Sequence, residues 1–376
     1  MAMHTTESGQ QAPPVHQPKV VAPTVSDKGR ELGQHIRDLY ASGAKLWTKA
    51  AILQLETQLR ESPGLDSYPI RYMDGVERAE PWPDLPCRPS GTVGRVGTDF
   101  TIYQHLVHAA ETIDDADMSG SDDELKQQLL RSYSLVYSYR YSHEDAEVPG
   151  YSDVKRMWAE ARTNWQQSPA CEELRAVFQG CQSLPKVTRI VCLGLGSFEV
   201  AVTRVDNDEE AGLDGLPLRR SMTQHAAAIT VAEVLGKQLP GARPVIMAQD
   251  PAYSALAKRI LKEDGIEVID GYGSLAFTLI DEETLVFSCC PNIPVKQIVA
   301  DIARPAAMIW DRVKPESEER SEWEVINQDG SEVLISPWLT DEDSPRTRKL
   351  VQGYSKHYFR ASNERFGDME IFIRKD

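Results

Sequence analysis

The sequence predicts an α/β protein: a Rossmann-like parallel sheet with helices on both faces, preceded by a mainly helical N-terminal region. Three observations carry this reading. From residue 187 onward, short apolar runs alternate with segments of helical period, which is the pattern of βαβ units and hence of a parallel sheet. The first run, Ile190-Val-Cys-Leu193, is continuously apolar, as in a strand buried on both faces, and it stops at Gly194, Gly196 and Ser197. Before residue 187 the apolar residues recur at helical spacing instead.

Taken in order, residues 1–25 are rich in Pro and Gln with little to bury, and read as a disordered tail. Residues 26–184 form the mainly helical region. Ser26 precedes a stretch in which Leu32, Ile36, Leu39, Leu46, Ile52, Leu55 and Leu59 keep a helical period, and Gly43 divides it into two helices. Prolines at 63, 69, 81, 83, 86 and 89 exclude regular helix over 62–97 and leave room for a short strand at 70–73. A helix is expected over 98–113. Ser121-Asp-Asp-Glu124 has the capping-box pattern for another running to about 141. Ser152 and Ser168-Pro169 open two more, with Ser at N-cap and Pro at N1.

Residues 185–376 form the Rossmann-like domain. Strands are expected at 189–195, 244–249, 266–270, 284–289 and 306–311, and helices at 219–237, 252–264 and 294–303. Ala228, Val231, Ala232 and Leu235 make the buried stripe of the first of these helices. The insertion at 199–218 carries Asp206, Asp208, Glu209, Glu210 and Asp214, and reads as a solvated loop or as a lid. An acidic stretch to 324, a strand at 333–336, a helix at 344–359 and a strand at 369–373 complete the chain.

Composition narrows the function. No run of about 18 apolar residues occurs, so no membrane span is expected. The first residues lack the basic and apolar regions of a signal peptide, which points to the cytoplasm. Six cysteines with no CxxC pair read as free thiols. The net charge of −16 argues against DNA and against non-specific nucleic-acid binding. The segment 346–375 departs from this, with eight Lys/Arg against three Asp/Glu.

The expected strand ends gather the candidate chemistry. Gly194-Leu-Gly-Ser-Phe-Glu199 has the first two glycines of a dinucleotide fingerprint but Glu199 in the third place, where a carboxylate would face a pyrophosphate; NAD is therefore not expected. There is no GxxxxGK[ST] loop, and Gly-x-Ser lacks the second Gly of a nucleophile elbow. Ser197, Asp250, Asp270-Gly-Tyr-Gly273, Cys289-Cys-Pro-Asn292 and Asp311 would all line one rim of a parallel sheet. Three aspartates there suit a cation such as a guanidinium, although Asp in these places also caps the turns that follow. His105-x-x-His108 has no third ligand in view, so no metal is expected. Cys290-Pro291 matches the dipeptide of haem-regulatory sites and equally a strand-ending turn.

Four blocks in this order, Cys192-Leu-Gly-Leu-Gly-Ser-Phe198, Gln224-His-Ala-Ala-Ala228, Gln249-Asp-Pro-Ala-Tyr253 and Cys289-Cys-Pro291, resemble the sensitivity-to-red-light-reduced family over roughly 187–312. Members of that family are implicated in clock regulation and in haem-linked or cytoskeletal regulation. One fungal branch consists of arginine-containing cyclodipeptide synthases, and the length, helical N-terminal half and basic C-terminal segment of this chain resemble that branch.

The resemblance implies an aminoacyltransferase that joins arginine from arginyl-tRNA to a second aminoacyl-tRNA and releases cyclo(Arg-Xaa). It needs no cofactor, because the ester already supplies the energy. On this reading Ser197 is the acyl acceptor or a donor to the oxyanion. Gly194, Gly196, Asp250, Asp270, Tyr272, Cys290, Asn292 and Asp311 bind substrate, and Arg346, Arg348, Lys349, Lys356 and Arg360 bind tRNA. The alternative is a non-catalytic regulatory protein, haem-responsive at the same rim.

Overall fold

The computed structural model describes residues 19–21, 25–61, 66–83, 92–113, 128–141, 150–181, 184–198, 216–238, 243–328, 331–360 and 365–375. The rest of the expected tail, Cys87, the capping box at 121–124 and the insertion from Glu199 to position 215 lie outside the described residues.

The chain forms two compact units. One is a three-stranded antiparallel sheet in the order β1 (Lys19–Val21), β11 (Trp323–Gln328), β12 (Ser331–Ile335), with Trp323 and Trp338 edge to face at 5.8 Å. Within the stretch read as a tail, three residues thus form a strand. The other unit, Val25–Glu319 with Thr340–Asp376, holds everything else.

Its centre is a seven-stranded sheet built from β6 (Arg189–Leu193), β7 (Val245–Gln249), β8 (Ile266–Val268), β9 (Thr284–Ser288), β10 (Ala307–Asp311), β13 (Tyr354–Phe359) and β14 (Met369–Arg374). The spatial order is β13-β14-β10-β9-β6-β7-β8. The five strands from β6 to β10 are parallel, and β14 runs antiparallel to both β10 and β13. Chain order reverses beside β6. Successive strands first build outward to β7 and β8 and then return to the other side with β9 and β10, which places a switch point at the carboxyl ends of β6 and its neighbours.

Side chains on alternate strand positions enter two separate cores, as period-2 geometry requires. Ile190 and Cys192, Leu285 and Phe287, Ala307 and Ile309 face one core, together with α4 (Tyr151–Gln166), α5 (Pro169–Gly180), α6 (Leu216–Gln238) and α7 (Ala255–Glu263). Val191 and Leu193, Val286, Met308 and Trp310 face the other. That face is covered by α1 (Asp27–Ala41), α2 (Lys49–Glu61), α3 (Tyr103–Glu111), α8 (Val295–Ile302) and α9 (Pro345–Val351). The N-terminal helices therefore cover one face of the sheet within the same unit. Each large apolar side chain so buried contributes about 1.5–3 kcal/mol.

Three elements differ from expectation. Tyr133–Tyr141 is strand β5, paired with β4 (Thr92–Phe100) over nine residues, so α3 begins only at Tyr103. Tyr133-Ser-Leu-Val-Tyr-Ser-Tyr-Arg-Tyr141 is aromatic and β-branched at period 2, which favours a strand over a helix. The proline-rich stretch forms a hairpin of β2 (Ser67–Arg71) and β3 (Glu77–Pro81) instead of a lone strand. The helix expected over 344–359 stops at Val351. Gly353 donates its amide to Leu350 O, and Tyr354–Phe359 alternates as strand β13. Ser344 caps α9 as its sequence suggests, accepting from Thr347 N.

Candidate functional site

The turn after β6 explains its glycines. Gly194 and Gly196 take φ of 70° and 75°, where a side chain is strained. A Cβ on Gly194 would stand 2.8 Å from Pro291 Cβ, and one on Gly196 would stand 2.3 Å from Ser221 Oγ. Ser221 in α6 donates to Leu195 O at 2.7 Å, which fastens the turn to that helix. Ser197 is buried, and its Oγ accepts the amide of Ser254, the N-cap residue of α7, at 3.4 Å.

The three rim aspartates are in different situations. Asp250 closes turns: its Oδ2 accepts Gly196 N and its Oδ1 accepts Ala252 N, both at 2.7 Å. Asp270 is exposed and ion-paired with Lys258. Asp311, at the end of β10, is half-buried with Cys290 Sγ 3.7 Å from its Oδ1, and burial raises its proton affinity above the ordinary carboxylate range. The loop after β8 is organised from the N-terminal region. Fully buried Glu56 of α2 accepts from Tyr272 N, Ser274 N and Ser274 Oγ, and Tyr272 gives its hydroxyl to Leu59 O. Glu56 lies on the apolar stripe of α2 beside Ile52, Leu55 and Leu59, and that misplaced charge was the available signal for it.

Beneath the rim lies a buried polar scaffold. His225 of α6 joins Ser221 O through Nδ1 and the Tyr253 hydroxyl through Nε2, both at 2.7 Å. Burial holds the imidazole neutral, with its pKa lowered to about 4, and pushes Tyr253 well up. Nδ1–H therefore donates to the carbonyl and Nε2 accepts from the tyrosine. Gln224 donates to Cys289 Sγ at 3.0 Å and to Arg365 O at 2.7 Å.

At the ends of β9 and β10 the chemistry concentrates. Cys290 is exposed with φ 46°, the only non-glycine residue at positive φ among those described. The Cys289 thiol donates to it, which lowers the Cys290 pKa, while Arg220 adds a nearby positive charge. Two side chains behind it are fully enclosed: Lys296 Nζ pairs with Asp343 at 2.8 Å, and Lys296 N donates to Asp341 Oδ1 at 2.8 Å. Burial pulls the lysine down, but Asp341, Asp343 and Asp311 outweigh it and hold it charged. Asp341 is raised to about 8 by burial and is therefore neutral at pH 7. Asn292 is exposed on the same loop.

This arrangement of a glycine turn, a glutamine and histidine in the following helix, and a Cys-Cys-Pro turn two strands away coincides with the match of the SRR1 domain model to residues 172–371, more than half of the chain. The chain belongs to the SRR1 domain family. No curated protein and no solved structure matches it. In this SRR1 domain, the four sequence blocks that carry the resemblance prove to be one hydrogen-bonded set, running from Gly196 through Asp250 and from Gln224 and His225 to Cys289 and Tyr253.

The basic residues of the SRR1 domain's C-terminal part are dispersed. Arg346 pairs with Asp301 at 2.6 Å and donates to Ala44 O at 2.7 Å, and Arg348 pairs with Glu319. Lys356 pairs with Glu370 at 2.6 Å. Lys349 and Arg360 are exposed. His105 and His108 are both pushed down by burial, and among the described residues no three His, Cys, Asp or Glu side chains stand together as metal ligands. No described helix is long and apolar enough to cross a membrane.

Proposed function

We propose that this SRR1-domain protein is an aminoacyltransferase that makes cyclo(Arg-Xaa) from arginyl-tRNA and a second aminoacyl-tRNA. The observation that supports it most is the charge balance behind Cys290. Asp311, Asp341 and Asp343 surround the single ammonium of Lys296, and Asp311 is the member that reaches the half-buried rim. A guanidinium arriving at Asp311 supplies the missing positive charge in a partly desolvated place, where a bidentate carboxylate contact is strongest. Asp250 is engaged by two amides and Asp270 by Lys258, so Asp311 is the arginine partner in this reading.

The reaction needs two amide bonds and no external energy source. The amine of one aminoacyl group attacks the ester carbonyl of the other; the C–O bond to the first tRNA breaks, and its ribose oxygen leaves with the proton. The free amine of the resulting dipeptidyl ester then attacks the remaining ester carbonyl, closing the ring and releasing the second tRNA. Holding amine and ester in line is worth several kcal/mol, up to about 7–11. Ser197 Oγ already accepts Ser254 N, which leaves its hydroxyl proton to donate toward an acyl oxygen; among the described residues no base is hydrogen-bonded to it. In this reading Ser197 stabilises developing negative charge.

Asp311→Asn tests the assignment. Its preference for arginyl over other aminoacyl donors should fall by about 1–3 kcal/mol, the range for a charge-assisted hydrogen bond. Unchanged selectivity would remove Asp311 from the site. A regulatory, haem-responsive role is the second reading, favoured by the exposed Cys290 beside Pro291; that thiolate would be the haem ligand. A Soret band on haem titration that Cys290→Ala abolishes, with no cyclic dipeptide formed, would establish it instead.

A further inference from the structure

Beside the aminoacyl rim, the carboxyl ends of β7 and β8 border a cleft of about 250 Å³ whose walls include Asp250, Pro251, Lys258, Val268, Ile269 and Asp270. It is smaller than the ~300–1,000 Å³ of a whole-ligand pocket, so it suits one end of a larger or exposed molecule. We propose that this cleft recognises an adenosine moiety, whether or not the protein makes cyclic dipeptides.

Position points first to a nucleoside. The sheet order β8-β7-β6-β9-β10 is, in chain order, 3-2-1-4-5, and in such sheets a nucleoside lies across the ends of the first three strands, beside the turn that follows the first. Here that turn carries Gly194 and Gly196 at positive φ.

Hydrogen-bonding capacity points the same way. Each Asp250 oxygen accepts one backbone amide, and a carboxylate oxygen has two acceptor positions. One acceptor per oxygen is left, held rigidly by the turn, and that is the arrangement a ribose diol donates to. Asp270 stands at the adjacent strand end, and its partner is a lysine across an exposed ion pair, which costs little to displace. An exocyclic amine can take the lysine's place. Val268, Ile269 and Pro251 supply apolar surface for the base plane.

The cleft also refuses certain groups. Asp250 and Asp270 repel a phosphate, and the sequence has Glu199 where a third glycine would approach a pyrophosphate, so the ligand is a nucleoside end and not a dinucleotide. Such an end is offered either by a free adenosine-bearing small molecule or by the 3′-terminal adenosine of a tRNA.

The test is binding to the full chain, by saturation-transfer NMR or calorimetry, of adenosine, 2′,3′-dideoxyadenosine, which lacks the diol, and purine riboside, which lacks the amine. In parallel, deacylated tRNA is compared with the same tRNA trimmed of its terminal adenosine. We expect about tenfold weaker binding for each analogue, the loss of one such hydrogen-bonded group. Asp270→Ala should weaken binding by a similar factor and Lys258→Ala should strengthen it a few-fold, with melting temperatures unchanged in both. Opposite effects from the two partners of one ion pair would not arise from a structural role. Binding of free adenosine identifies a small-molecule ligand; binding seen only with tRNA, and lost on trimming, identifies the tRNA end. The proposal is overturned if neither occurs, or if both substitutions leave affinity as it was. Intact adenosine binding without cyclic dipeptide would count only against the proposed reaction.

Discussion

Gly196 gives its amide to Asp250 Oδ2 at 2.7 Å, tying the turn after β6 to the end of β7. Two parallel strands are thereby joined at the edge where the sheet stops pairing, and Asp250 Oδ1 fixes its own turn through Ala252 N. Asp250→Ala should lower stability by about 1–3 kcal/mol, because two turn amides lose their acceptor. Urea unfolding measures it; a change within about 0.5 kcal/mol would mean that water replaces the carboxylate and the turn is held by other contacts.

Stability should depend on pH in a direction set by two buried groups. His225 is lowered from 6.5 to about 4, so the unfolded chain takes up a proton first as pH falls; its contribution is complete above 6.5 and is lost toward 4. Asp341 behaves oppositely. It is raised from 3.8 to about 8, so the folded chain holds the extra proton, and that contribution is lost as pH rises toward 8. Asp301 and Asp311 are raised as well and add to this sense. Between about pH 6.5 and 8 the protein should therefore lose stability, by on the order of 1–2 kcal/mol, and Asp341→Asn should flatten the slope. An equal slope in the variant would contradict the assignment.

Among the described cysteines, Cys290 should react first with iodoacetamide. It is exposed with its pKa lowered by the Cys289 thiol, whereas burial pushes Cys192 up and Cys289 is raised by its bond to Cys290 and by burial. Peptide mapping by mass spectrometry at pH 7 reads the order. Faster labelling of Cys181 or Cys171 would show that Cys290 is shielded.

The sheet was legible in the sequence because its strands are short apolar runs ending in Gly, Asp or Cys-Pro, and all five parallel strands lie within two residues of where those runs place them. The elements of 128–141 and 344–359 were not. There a helix-start signal, Ser121 to Glu124 or Ser344-Pro345, was extended across residues whose period is 2, and in the second case Gly353 ends the helix. At the site, the glycine turn and the rim could be read because they follow strands directly. Glu56, Lys296, Asp341 and Asp343 could not, since each reaches the rim from an element far away in sequence, and only packing shows that α2 and the 341–343 turn meet the ends of β8 and β9.

The same packing reshapes the expected tRNA surface. Arg346, Arg348 and Lys356 hold Asp301, Glu319 and Glu370, and reversing them would cost stability. Lys349 and Arg360 are the exposed members. If the segment binds phosphates, Lys349→Glu with Arg360→Glu should weaken aminoacyl-tRNA binding and reduce its salt slope by about 2, roughly one for each phosphate that is no longer neutralised. Parental affinity and salt dependence in the double variant would place the tRNA elsewhere.

The measurement that bears most directly on the proposed activity is reconstitution with arginyl-tRNA carrying isotope-labelled arginine, together with a mixture of the other aminoacyl-tRNAs, followed by mass spectrometry of the released small molecules. The predicted result is a cyclic dipeptide containing one labelled arginine, formed without ATP in proportion to ester consumed, and reduced in Ser197→Ala. Hydrolysis of the ester to free labelled arginine with no cyclic product, at any pairing of aminoacyl donors, would contradict it.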